Sequence, residues 1–238
     1  NTADKLALGD VNVNIKSKSK YEIGKLMYSF GMMVENIKEQ AAIADKVANG
    51  DFSVAVVPKS DQDILTISLK NMVENLRSLV SEAGMLTKAA VEGKLDTRGN
   101  AESFNGGYKE IVVGVNQTLD AVIGPLNVAA EYIERISRGD IPNKITDTYY
   151  GDFNEIKNNL NICIDAINAL VADANVLTVA AIEGRLSTRA DASKHGGDFA
   201  KIVEGVNQTL DSVIGPLNVA AEYVERISKG DIPNKITD

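Results

Sequence analysis

The chain has 238 residues, a formal net charge of −8 and 5% aromatic residues, with no Trp. An acidic chain is a poor partner for nucleic acid or an anionic membrane surface, and so few aromatics make a thin globular core, whereas coiled coils are built on Leu, Ile, Val and Ala. One Cys excludes an intramolecular disulfide and fits a reducing compartment, no run of 18 apolar residues is present, and the opening NTADKLALGD is not a signal peptide.

In chain order, a stub ends at Gly9 and Ser19-Lys-Tyr-Glu22 has capping-box spacing for a first long helix ending at Gly50. Ser60 and Asp61 are the expected caps of the next, which carries Leu69, Met72, Leu76, Leu79, Ala83, Leu86 and Ala90 up to Gly93. Val112, Val115, Leu119, Val122, Leu126, Ala129, Ile133 and Ile136 lead to Gly139. Asp152-Phe-Asn-Glu155 is a capping box with Asp in place of Ser or Thr. It opens a run through Phe153, Ile156, Leu160, Cys163, Ile167, Leu170, Ala174, Leu177 and Ala181, ending at Gly184. Sustained 3-4 spacing over three or more heptads predicts left-handed coiled-coil packing.

Two passages are near-copies. Residues 123–147 read IGPLNVAAEYIERISRGDIPNKITD and recur at 214–238 with only Ile133/Val224 and Arg138/Lys229 changed, and the likeness extends upstream from AAVEGKLDTR at Ala89 to AAIEGRLSTR at Ala180. Gly9, Gly50, Gly93, Gly139, Gly184 and Gly230 each close an apolar-periodic run, at intervals of 41, 43, 46, 45 and 46 residues. Each is expected to supply a left-handed C-terminal cap. Units of about 45 residues rarely bury enough surface alone, so neighbours or a second chain must complete their cores. The chain stops at Ile236-Thr237-Asp238 where the earlier copy continues into TYYGDFNEIKNNLN, and is expected to be a segment of a longer polypeptide.

The connectors decide the topology. About 10 to 14 residues separate each glycine from the next helix, more than the roughly 2 to 8 of an antiparallel hairpin. Twelve extended residues reach roughly 40 Å and a 16-residue helix is about 24 Å long, so the connector can climb back and start the next helix parallel to the first. Val11/Ile15, Phe52/Val56, Ile141/Ile145 and Ile232/Ile236 stand four apart and are expected to pin this return. Two parallel helices are thinly packed. The expected fold is all-α: repeated parallel four-helix coiled-coil bundles formed by a homodimer, stacked end to end into a rod with long helices shared between units.

These residues resemble HAMP domains. A glycine, an apolar residue, three spacers and another apolar residue, then an acidic residue opening a second amphipathic helix, is the pattern of that family. Glu22-Ile23-Gly24-Lys25-Leu26 through Phe30 and Met33 looks like the opening of its second helix, and Pro125 and Pro216 stand where it commonly places a proline near the start of its first. The likeness covers nearly the whole chain as tandem units over residues 1–37, 38–79, 80–123, 124–170, 171–214 and 215–238, the first and last truncated. It looks like the poly-HAMP segments of bacterial methyl-accepting chemotaxis proteins and sensor histidine kinases. That likeness implies a cytoplasmic dimeric relay between a sensor region and a methyl-accepting or histidine-kinase output, with no cofactor and no catalysis of its own. A passive spacer rod and a soluble-ligand sensor are the alternatives. The connectors after Gly93 and Gly184 depart from the pattern: Leu95 and Leu186 are followed by Gly99 and Ala190 in place of the second pin, then by Asn105-Gly106-Gly107 and His195-Gly196-Gly197. They are expected to be looser.

Two junctions contain Gly-Pro, at Gly124-Pro125 and Gly215-Pro216. Proline costs about 3 kcal/mol in a helix interior, so the pair either ends one helix and begins another or sits in a continuous, kinked one. His195, the sole histidine, is expected to be an exposed loop residue and Cys163 a buried seam residue. Glu39-Gln40-Ala41-Ala42, faintly like a methylation site, and the clusters Glu131/Glu134/Arg135 and Glu222/Glu225/Arg226 are expected to be solvated flanks. No phosphate-binding loop, dinucleotide fingerprint or zinc spacing is present.

Overall fold

The computed structural model describes residues 2–13, 15 and 21–236, with the side chains of Thr2 and Ala3 excepted. The described residues form helices and connectors without a strand: α1 (Thr2–Ala7), α2 (Glu22–Ala48), α3 (Ile64–Val91), α4 (Gly106–Ser137), α5 (Gly151–Ile182) and α6 (Gly197–Ser228). The chain divides into two compact units, Asn1–Ile123 and Gly124–Asp238.

Each array glycine stops its helix in one way. Gly9, Gly50, Gly93, Gly139, Gly184 and Gly230 have φ between 73° and 89°, a left-handed conformation that costs a side chain roughly 1–2 kcal/mol. The amide of the following residue reaches back to the helix carbonyl five positions earlier, as in Asp140 N–H to Arg135 C=O (3.0 Å), and the glycine amide to the carbonyl three earlier, as in Gly139 N–H to Ile136 C=O (2.9 Å). This is the Schellman pattern, and it satisfies carbonyls the helix end leaves unpaired.

The helix starts differ from the expected caps. Asp63, rather than Ser60 or Asp61, caps α3: its carboxylate accepts from the Thr66 amide (3.2 Å) and the Lys59 amide (3.1 Å). The helix begins too late for Ser60, whose hydroxyl accepts from the Gln62 amide instead. α5 begins at Gly151, so Asp152 lies inside its first turn and does not cap it. Ser19 lies outside the described residues.

In the first unit, α2 and α3 run parallel. The Gln40 amide donates to Thr66 Oγ1 (3.0 Å), and twelve residues further on the Phe52 carbonyl accepts from Arg77 Nη2 (2.6 Å). Thr66, early in α3, thus meets Gln40 within α2, and Arg77, later in α3, lies beside Phe52 just past the C-terminal end of α2, so the two helices advance in the same direction. The connector between them returns against that direction, with Phe52 beside Arg77 and Lys59 Nζ already 2.6 Å from Glu39 of α2. Glu39 and Gln40 are thus tied to the connector and α3, not merely solvated.

α4 and α6 contain Pro125 and Pro216 without interruption. The Gly-Pro pairs do not end one helix and begin another. By length and composition α4 and α5 are also apolar enough to cross a membrane.

The chain leaves much of its apolar surface uncovered. Ile111, Val115, Val122, Leu126 and Ile133 of α4 are exposed, at spacings of four and seven that keep one heptad seam. The same seam recurs 91 residues later in α6 at Ile202, Val206, Val213, Leu217 and Val224. Cys163 is exposed as well, while Ile164 beside it is buried. One residue is a 100° turn of helix, and it is the Ile164 face that the connector covers.

Candidate functional site

Three connectors are held by one repeated device. Each array glycine from Gly93 to Gly184 is followed, six positions on, by a residue whose main chain is bracketed by an asparagine of the next helix. Asn116 Oδ1 accepts the Gly99 N–H (2.8 Å) and its Nδ2 donates to the Gly99 C=O (2.9 Å). Asn161 does the same to Ile145 (2.8 and 3.0 Å), and Asn207 to Ala190 (3.1 and 2.8 Å). A strand-like segment with no neighbouring strand would otherwise bury unpaired donors and acceptors. The side-chain amide replaces the missing ladder.

An ion pair stands one helical turn further along. The residue before each bracketed position is basic and meets an aspartate four residues after the asparagine: Arg98 with Asp120 (2.7 Å), Lys144 with Asp165 (2.6 Å) and Arg189 with Asp211 (2.7 Å). Each connector thus runs antiparallel to the helix that follows it. Both acids are more than half exposed in the arginine pairs, as are both partners of the lysine pair. The ion pairs therefore orient more than they stabilise.

This geometry corrects the expected looseness of the connectors after Gly93 and Gly184. The hold falls on the main chain, so the side chain at the bracketed position is free to shrink. Gly99 and Ala190 are both buried, and a Cβ on Gly99 would lie 2.8 Å from Val112 Cγ1. There the missing pin allows a closer approach. Phe104 and Ala190 join Val112 and Val203 among the buried apolar residues of these two connectors and their helices.

The other expected site residues fall as follows. Ile145 is buried and Ile141 half-buried, with Pro142 between them almost wholly enclosed. Ile232 and Ile236 are exposed, no described helix of this chain following them. Glu22 opens α2 on an exposed position; Pro125 is half-buried and Pro216 exposed. His195 is not an exposed loop residue: its side chain is 2% exposed and its Nε2 lies 2.7 Å from Asp173 Oδ2 on α5. The clusters around Glu131 and Glu222 take part in the helix ends. Arg135 binds Asp140 and Arg226 binds Asp231, each at 2.7 Å, which holds both carboxyls below the ordinary range and raises both guanidinium groups. Among the described residues no group of three His, Cys, Asp or Glu is placed to hold a metal.

The clamp residues Asn116, Asn161 and Asn207 were not among the expected site residues. Their signal was legible: Asn-x-x-x-Asp recurs at 116, 161 and 207, in step with the glycines.

Helices closed by Schellman glycines and followed by returning connectors, in tandem, define an all-helical repeat array. Two family models, each described as HAMP domain, match the chain, one over residues 103–169 and 194–238 and the other over 1–39. The chain belongs to the HAMP domain family. It is also similar to a sensory transducer protein of Acetivibrio thermocellus, 44% identical over 79 residues, which is 33% of this chain and 14% of that protein's length. No solved structure matches it. The family and this relative support a role in signal transduction.

Proposed function

We propose that the chain is a non-catalytic relay in which a parallel homodimer passes helix repacking through tandem units, over the six ranges given above, from a sensor region to a methyl-accepting or histidine-kinase output. The observation that carries this reading is the uncovered heptad seam of α4 and its copy in α6. Apolar side chains at that spacing and exposure call for another helix. A cleft of about 290 Å³ between α3 and α4, lined by Leu79, Ala83, Leu86, Ile111, Val112 and Val115, is open in the same way. A second copy of the chain supplies helices of matching period at matching height, and so completes four-helix bundles.

The apolar character of α4 and α5 fits this seam better than lipid. Asp120 on α4, and Asp165 and Asp173 on α5, are paired with connector residues Arg98, Lys144 and His195. A bilayer would have to take up these polar pairs beside the apolar seam, at the cost charged groups carry in hydrocarbon. This supports placing the segment in the cytoplasm.

In this mechanism each unit is a bistable element whose two packings are biased by its neighbours. The Asn clamps make the connector and the following helix move as one body. The glycine caps and pins Ile141 and Ile145, with their counterparts Ile232 and Ile236, set where each helix ends against it. Glu22 and the prolines Pro125 and Pro216 sit at the junctions the signal must cross. Two tests separate dimer from relay. With Cys163 replaced by Ser, a Val122→Cys chain should form a disulfide-linked dimer on mild oxidation; a chain that stays monomeric in sedimentation at tens of micromolar overturns the dimer. In the full-length receptor, Gly124-Pro125→Ala-Ala should shift signalling bias, and unaltered output would leave only a spacer.

A further inference from the structure

The connector after Gly50 has the length and course of its clamped counterparts but not their clamp. From Gly93 and Gly184 the bracketed residue stands six positions on, its asparagine 17 beyond that, and the paired aspartate four further. The same count from Gly50 reaches Val56, Val73 and Arg77, with Ala55 in the place of the basic residue. Val73 has no amide to bracket a main chain. Arg77 puts a cation where the clamped helices put a carboxylate, and Ala55 gives it nothing to pair with. The bracket and the ion pair are lost together.

What holds this connector lies at its two ends. The Phe52 C=O accepts from Arg77 Nε (3.1 Å) and Nη2 (2.6 Å). Lys59 is tied by its amide to Asp63 (3.1 Å) and by Nζ to Glu39 (2.6 Å). Between those ends, no described group hydrogen-bonds to the main chain of Val54, Ala55, Val56 or Val57. Val73 is buried, and Val54 and Val56 are half-buried, so the middle is held by apolar contact, which has no direction of its own. A cleft of about 190 Å³ opens between residues 54–57 and Lys70, Val73, Glu74 and Arg77 of α3.

We infer that the connector after Gly50 is a strap fixed at both ends and free to lift in the middle, which makes the α2–α3 pair the place where the array opens most readily. A clamped connector leaves its helix only by breaking two hydrogen bonds to its main chain, a change of about 30-fold in the opening equilibrium. Lifting Val54–Val57 breaks no such bond and forfeits only the contacts of half-buried side chains. α3 can therefore turn or shift beneath its connector without carrying it, whereas α4, α5 and α6 carry theirs. Moving elements are drawn from the least firmly held parts of a fold.

That residues 38–79 yield first to a signal rests on the relay reading; the loose strap does not, and its test needs no receptor output. Amide protection factors would be measured by hydrogen exchange in the 238-residue chain. The Val56 amide should be at least about tenfold less protected than those of Gly99, Ile145 and Ala190. Asn116→Val places the residue of the unclamped unit in α4, and should bring the Gly99 amide to within about threefold of Val56. Asn207→Val should do the same to Ala190. The amides of Asp140 and Asp231, which close the caps of α4 and α6, should keep their protection and so report that each variant is folded. A smaller difference than about tenfold in the wild-type chain overturns the inference. So does a Gly99 or Ala190 amide that stays protected in its valine variant. The wild-type comparison stands without any substitution, so a variant that fails to fold does not shelter the proposal.

Discussion

Replacing Asn161 by Ala isolates what a clamp contributes. The substitution deletes an accepted hydrogen bond from the Ile145 N–H (2.8 Å) and a donated one to the Ile145 C=O (3.0 Å). Two neutral hydrogen bonds contribute about 1–3 kcal/mol together. Ile145 is buried, so its two main-chain groups are poorly placed to find water, and the loss should lie near 2 kcal/mol, roughly a 30-fold change in the local opening equilibrium. The Ile145 amide is itself the reporter: its hydrogen-exchange rate should rise by about that factor. Asn161→Asp keeps an acceptor for the N–H but not the donor to the C=O, and should fall between. Asp165→Ala removes only the exposed pair with Lys144, at most about 1 kcal/mol, and should change exchange less than about fivefold. An Ile145 amide exchanging within twofold of wild type in Asn161→Ala would refute the clamp as the main hold on the connector.

Three further expectations follow from single sites. Gly139→Ala forces a side chain into φ 79° and should destabilise by about 1–2 kcal/mol, whereas Gly84→Ala, in open space within α3, should stabilise by roughly 0.5–1 kcal/mol; denaturant midpoints moving together would contradict the cap reading. Gly99→Ala should destabilise because its Cβ meets Val112 Cγ1 at 2.8 Å, and Val112→Ala should lessen that penalty in the double variant; additivity in a thermal-melt cycle would exclude the contact. The Asp63 carboxyl is held below its ordinary value by hydrogen bonds from the Lys59 amide first and Thr66 second. Its folded-state pKa is depressed, so its contribution is present above the unfolded value near 4 and is lost as pH falls through the folded one. Amide protection in the first turn of α3 should therefore fall below about pH 4, and Asp63→Asn should flatten that dependence.

Periodicity and punctuation determined most of the fold. Apolar residues three and four apart predicted long helices because a 3.6-residue turn puts them on one face. Glycines at a 41–46-residue interval predicted their ends because only glycine takes the left-handed cap cheaply. Connector length implied a parallel return, since reach depends on residue count alone. The family likeness followed from the same pattern.

Caps, clamps and the His195 environment were decided in three dimensions. Ser60, Asp61 and Asp63 are all chemically able to cap, and only the actual start of α3 selects Asp63. Gly99 and Ala190 read as missing pins because side-chain patterns are blind to a hold exerted on the main chain. His195 stands between lysine and glycine, a surface context in sequence; an aspartate 22 residues away in the chain and 2.7 Å away in space makes it a buried partner. The sequence by itself therefore determined where the helices run and end, because those depend on local period and backbone freedom. Which polar group meets which depends on side chains brought together from distant positions, and that only the tertiary structure decided.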